Sequence, residues 1–240
     1  MSQQVSQDKK TAIVTGVGDG TGAAVARRFA ESGYRVAMLA RNEARLAELE
    51  AELPGSRAFA FDLSDLDRLV EVCKQVTDEM GLPDVVVHNA VRATFKTFEE
   101  ADPEDLERNF RVNTTSLLYM ARVFAPAMKE RGSGAIVVTG NTAALRGVPN
   151  TAVFAPTKAA QRILAQSLAR DLGPKGIHVA YVTIDAAIDT PWTRVPFHPD
   201  KPEEFFSKPA AIAEEISHVA HQDRSTWAFD LVIRPFGETW

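Results

Sequence analysis

The residues of this chain best suited to chemistry sit in one short turn. Thr15-Gly16-Val17-Gly18-Asp19-Gly20-Thr21-Gly22 follows an apolar run, TAIVT (11–15), and opens a helical pattern. Glycines there let backbone approach a pyrophosphate, and the helix start offers unbonded N–H groups and positive potential. A strand before and a helix after make a loose glycine pattern into an expected phosphate cradle. The alternative is a tight strand-to-helix turn without a ligand. Other reactive types offer less. Cys73 lies on an apolar stripe with Leu66, Leu69, Val70 and Val76, so a buried, inert thiol is expected. His218 and His221 stand three apart on a helical stretch without an evident Cys or carboxylate partner, and no metal site is expected from the five histidines.

Composition narrows the classes. The 240 residues carry a net charge of −5, with 25% charged and 45% hydrophobic residues. That excludes a disordered or membrane-spanning chain. Mild acidity argues against nucleic acid as the main partner, while leaving room for a local basic site for one small phosphate. A single cysteine allows no intrachain disulfide and suits a reducing compartment. The first ten residues, MSQQVSQDKK, are polar, without the apolar core of a signal peptide. The expectation is a soluble, cytoplasmic protein with a flexible tail over 1–10 and one domain over 11–240.

The elements that must position the turn alternate regularly. Strands are expected at 11–15, 34–40, within 57–63, at 84–88, 134–140 and 177–184, and within 227–235. Between them lie helices at 23–32 (closed by Gly33), 42–53 and from Ser64, taken as an N-cap, through Val76. A long helix opened by Asp102-Pro103 runs towards Lys129, bent or frayed by Pro126. Two more follow at about 153–172 and 210–221. Such alternation implies right-handed crossovers and an α/β, doubly wound (Rossmann-like), mostly parallel seven-stranded sheet with helices on both faces. The Pro-rich stretch 185–209 is an excursion, either a lid over a site or a plain surface loop.

From about residue 11 to 233 the chain resembles the short-chain dehydrogenase/reductase family. TGVGDGTG fits that family's TGxxxGxG turn, and Asp62 in FDLSD matches its adenine-side Asp, with Leu63 beside it. His88-Asn89-Ala90-Val91 resembles NNAG, Asn113 in RVNTT matches the Asn of the long helix, and Asp189-Thr190-Pro191 matches the tail of PGxxxT. Phe154-Ala-Pro-Thr-Lys158 stands where the family has YxxxK. Taken singly, Asp62 could cap a turn, Asn89 satisfy a strand end and Asn113 hold a helix kink. The resemblance implies that Gly16, Gly18, Asp19, Gly20, Thr21, Gly22, Arg41, Asp62, Leu63, Asn89, Ala90 and Lys158 bind cofactor. It also implies a homodimer or homotetramer through helices 103–129 and 153–172; the alternative is that these helices only face their own sheet.

Arg41, just after the second strand in Leu39-Ala40-Arg41-Asn42, is suited to a 2′-phosphate, so the resemblance implies NADP(H) rather than NAD(H). An Arg on a solvated helix start is the alternative, and Asp19 opposes a phosphate by repulsion.

The family's proton donor is missing. Its Tyr is Phe154 here, its Ser falls at Asn141, and the PG of PGxxxT becomes Asp185-Ala186. Phe has no proton to give, and loss of general acid–base catalysis typically costs about 10²–10⁴-fold. Asn141 can donate a hydrogen bond to an oxyanion without relaying a proton. Lys158 and Asn113 keep their family positions, and Asp185 is a base, a substrate anchor or a loop cap. Three functions fit. The first is an NADP(H)-dependent oxidoreductase on a small carbonyl or alcohol with a non-standard site. The others are a cofactor-binding sensor or scaffold with little turnover, and a lyase or isomerase in the same pocket.

Overall fold

A computed structural model describes residues 10–237; all of the expected tail over 1–10 except Lys10 lies outside the described residues, as do 238–240. Apolar runs bounded by glycine and polar turns become strands β1 (Thr11–Thr15), β2 (Arg35–Ala40), β3 (Arg57–Ala60), β4 (Val85–His88), β5 (Gly134–Asn141), β6 (Ile177–Ile184) and β9 (Asp230–Ile233). They form one sheet of order β3-β2-β1-β4-β5-β6-β9, with every pair parallel, so the expected seven-stranded doubly wound sheet is present.

Side-chain alternation along the strands feeds two cores. Ile13, Val86 and Ile136 meet Leu69 and Cys73 of α3 (Leu66–Met80) and Leu117 and Phe124 of α5 (Ser116–Arg131) on one face. Ala12, Val14 and Val137 meet Phe29 of α1 (Thr21–Glu31), Leu46 of α2 (Glu43–Glu52) and Ile216 of α8 (Pro209–Ala220) on the other. Strand order reverses between β1 and β4. Loops there diverge to opposite faces and leave a crevice at the C-terminal edge of the sheet, where open α/β sheets bind ligands.

Three local expectations change. Ser64 does not cap α3. Its N–H and hydroxyl are taken by Asp62 Oδ1 (2.8 and 2.7 Å), and Asp65 caps instead, accepting from Arg68 N at 3.0 Å. The long helix is split into α4 (Pro103–Phe110), a π turn (Arg111–Thr115) and α5. Pro126 neither stops nor frays α5, which runs on to Arg131 and ends on left-handed Gly132. Pro126 and Arg122, whose carbonyl it leaves without an N–H, both face solvent, where water can serve that carbonyl. The stretch 185–209 is not irregular throughout. It holds β7 (Ala187–Ile188) paired in parallel with β8 (Phe206–Ser207), and α7 (Pro191–Phe197) between them. Arg194 pins the excursion, bonding Asp189 at 2.5 and 3.1 Å and lying 4.1 Å from the Phe206 ring centroid.

Candidate functional site

The glycine turn is shaped by close backbone approach. Gly16 has a φ of 69°, and a Cβ there would lie 2.6 Å from the Ala90 Cα; one on Gly22 would run into the Gly16 carbonyl. At Gly18 a Cβ would meet nothing within 4 Å, because that glycine faces the crevice. Thr15 Oγ1 accepts from the Asn89 and Ala90 amides, both at 3.0 Å, and locks the turn to the end of β4. Asn89 completes the lock, donating to the Gly16 carbonyl (3.1 Å) and accepting from Thr139 Oγ1 (3.1 Å).

A cavity of about 860 Å³ opens over this turn. Its lining includes Gly16, Gly18, Asp19, Gly20, Thr21, Gly22, Arg41, Asp62, Leu63, Asn89 and Ala90, so all the expected cofactor residues but Lys158 converge on it. A dinucleotide fits the donors present. Gly20 caps α1 without a side-chain acceptor, leaving the helix-start N–H groups available, and Thr21 Oγ1 is buried without a partner.

Charge at the far end favours an anion. Asp19, set against phosphate in the sequence, is paired with Arg45 Nε at 2.7 Å. Burial opposes ionisation of Asp62. The hydrogen bonds from Ser64 and the charges of Arg41 and Arg92 outweigh that and hold its carboxyl below the usual range. Arg92 was not legible as a site residue. It lines the cavity, its Nε is buried without a partner, and its backbone is clamped by Asn113, which accepts from Arg92 N and donates to Arg92 O, both at 2.9 Å. A cation three residues after Asn89, at a strand's C-terminal end, was the available signal.

The expected catalytic residues do not join this cavity. Phe154 is buried, with its ring edge-on to Phe95 at 5.4 Å between centroids. Lys158 is buried too, bonded to Gln161 Oε1 and to the Thr139 carbonyl (3.1 Å), and burial pushes its amine down to about 7. Gln161 in turn meets His88 Nδ1 at 3.2 Å, and His88 Nε2 meets Ser116 Oγ at 2.7 Å. Burial first, then the Lys158 charge, push His88 down to about 3, so it stays neutral at ordinary pH. Ser116 Oγ also lies 2.6 Å from the Val112 carbonyl, to which it donates. Asn113, in the π turn, spends its remaining donor on Thr157 Oγ1 at 2.8 Å. Asn141 Oδ1 accepts from Ala143 N at 3.2 Å. Asp185 lies 4.0 Å from Arg234 and is not among the cavity-lining residues.

Cys73 is buried, and burial pushes its thiol up to about 12. His221 is held by the Ser217 carbonyl (2.7 Å) and the Tyr34 hydroxyl (2.8 Å). Among the described residues no helix is long and apolar enough to cross a membrane.

Fold and crevice together define a doubly wound nucleotide-binding protein. Residues 10–197 match the family described as short chain dehydrogenase. A D-erythrulose reductase of Gallus gallus is 34% identical over 180 residues, covering 75% of this chain and 72% of that protein. An L-xylulose reductase of Mesocricetus auratus is 32% identical over 171 residues, covering 71% of this chain and 68% of that protein. An alcohol dehydrogenase from the archaeon Thermococcus sibiricus, complexed with 5-hydroxy-NADP, is similar with a TM-score of 0.83 and 29% identity, over 96% of this chain and 98% of that one. The chain belongs to the short-chain dehydrogenase/reductase family, oxidoreductases whose fold binds NAD(P).

Proposed function

We propose that this protein binds NADP(H) in preference to NAD(H) and is an oxidoreductase on a carbonyl or alcohol substrate, with a rebuilt proton-delivery site. The observation that carries this reading is the pair of guanidinium groups, Arg41 and Arg92, set about one carboxylate, Asp62, while Arg45 neutralises Asp19. Arg41 and Arg92 would hold the 2′-phosphate, the α1 start with Thr21 the pyrophosphate, and Asp62 with Leu63 the adenine side. When bound, the nicotinamide supplies or accepts hydride. Asn141 Nδ2 is the donor suited to a substrate oxygen. Phe154 gives no proton, so water entering the open crevice delivers it. Titration calorimetry tests the cofactor preference: NADPH should bind more tightly than NADH, and Arg41→Ala should weaken NADPH by about tenfold or more, as loss of a charged hydrogen bond does. Equal affinities, or no change on Arg41→Ala, would sink it.

One observation favours the second reading, a cofactor-binding protein with little turnover. Lys158 is bonded inward to Gln161 and to the Thr139 carbonyl, and does not line the cavity. Steady-state NADPH oxidation across a carbonyl panel separates the two, since turnover on any member excludes a purely binding role. We also propose a homodimer or homotetramer through α5 and α6 (Ala155–Leu172), which leave Leu118 and Ile163 exposed. Sedimentation velocity should report a multimer that Leu118→Glu with Ile163→Glu converts to monomer.

A further inference from the structure

Eight of the twelve large apolar residues left exposed among the described residues belong to the three loops that leave β4, β5 and β6 at the C-terminal edge of the sheet. The loop after β4 presents Val91, Phe95 and Phe98, the last 79% exposed. The loop after β5 presents Leu145 and Val148, and a backbone bridge between Lys96 and Thr151 ties it to the first. The excursion after β6 presents Trp192 (60% exposed), Val195 (73%) and Phe197. Two of these loops reach the cofactor crevice, because Val91 and Trp192 are exposed residues that also line it. Where the family carries a Tyr, Phe154 packs edge-on beneath Phe95, so a ring rather than a hydroxyl backs this wall.

Resting on the proposed carbonyl chemistry of the same crevice, we infer that the substrate has a bulky apolar body, an aryl or alicyclic ketone or its alcohol, rather than a polyhydroxylated chain. Soluble proteins seldom gather exposed apolar surface in one place unless something covers it. A polyol would bury hydroxyls against side chains that offer them no partner, which is unfavourable. An aryl body would cover Phe98, Val195 and Trp192 and gain from their burial. Its carbonyl end would turn towards the Asn141 carboxamide, which stands at the end of β5 where the second of these loops begins.

The test is calorimetric binding of 2-acetylnaphthalene and of dihydroxyacetone, each to the chain alone and to the chain saturated with NADP⁺. The aryl ketone should bind at least about tenfold more tightly than dihydroxyacetone, and Phe98→Ser with Val195→Ser should weaken it by about tenfold, the scale of burying one apolar side chain. Both residues are exposed, so the variant keeps its core. Val232→Ser, on an exposed apolar residue of β9 outside these loops, should change nothing. Equal binding of the two ketones overturns the inference. So does an aryl affinity that Phe98→Ser with Val195→Ser leaves intact, or that Val232→Ser lowers as much. If NADP⁺ fails to bind while the aryl ketone binds as stated, the cofactor reading falls and the apolar site stands. If NADP⁺ binds and the aryl ketone does not, the inference falls alone.

Discussion

Lys158 is the residue whose surroundings depart furthest from its sequence context. Its amine falls from the ordinary 10.5 to about 7 through burial, so between those values the folded chain binds fewer protons than the unfolded one. Stability therefore rises with pH across about 7 to 10.5, and the penalty is complete below about 7. Denaturant titrations from pH 6 to 10 should show that slope, and Lys158→Met should flatten it; an unchanged slope refutes a strained amine. The same burial bears on restoring chemistry. Phe154→Tyr with Asn141→Ser should raise NADPH-dependent carbonyl reduction by far less than the roughly 10²–10⁴-fold that a placed general acid supplies. Gln161 still holds Lys158 inward, and the new hydroxyl starts beneath Phe95. Adding Gln161→Leu should release the larger gain. Stopped-flow NADPH oxidation decides it, and a full gain in the double variant would show Lys158 to be available already. Position 154 was legible in the sequence because the YxxxK spacing is local. The Gln161 hold was not, since it depends on His88, 73 residues away, reaching the same interior.

At the scale of elements, caps and the π turn carry the argument. Asp65→Ala should cost about 1 kcal/mol through the lost N-cap. Ser64→Ala should cost less, because Ser64 serves Asp62 rather than α3. Chemical denaturation ranks the two, and the reverse order would restore Ser64 as the cap. Asn113→Ala should remove both backbone clamps on Arg92 and its bond to Thr157, costing about 1–3 kcal/mol for buried groups left unpaired. It should also weaken NADPH more than NADH. Equal weakening in calorimetry would make Asn113 a purely structural residue. Strands and helices were readable from periodicity, and Asp102-Pro103 opens α4 as read. A kink at Asn113 was among the readings of RVNTT, but its π form was not readable, because the segment carries no proline or glycine to mark it. It is held by Asn113 reaching the loop after β4 and α6, partners that lie 21 and 44 residues away in sequence.

For the whole molecule, the order of strands in the sheet matters as much as their number. The crevice could be placed from the sequence because a glycine turn after the first strand and an Asn-Ala pair after the fourth meet only where strand order reverses. The fold of 185–209 could not be read so, as β7 and β8 are two-residue pairings whose partner lies across the excursion. The pairing of β9 with β6 joins the last strand among the described residues to Tyr181–Ile184. During synthesis, β6 leaves the ribosome well before its neighbour exists. Its edge stays open to pairing with another nascent chain until residues 230–233 emerge. Ribosome stalling or a premature stop after α8 and before residue 230 would thus yield a chain with both layers of its core encoded and one sheet edge unsealed. Cellular quality control would meet that species as a substrate for chaperones, whatever its catalytic fate.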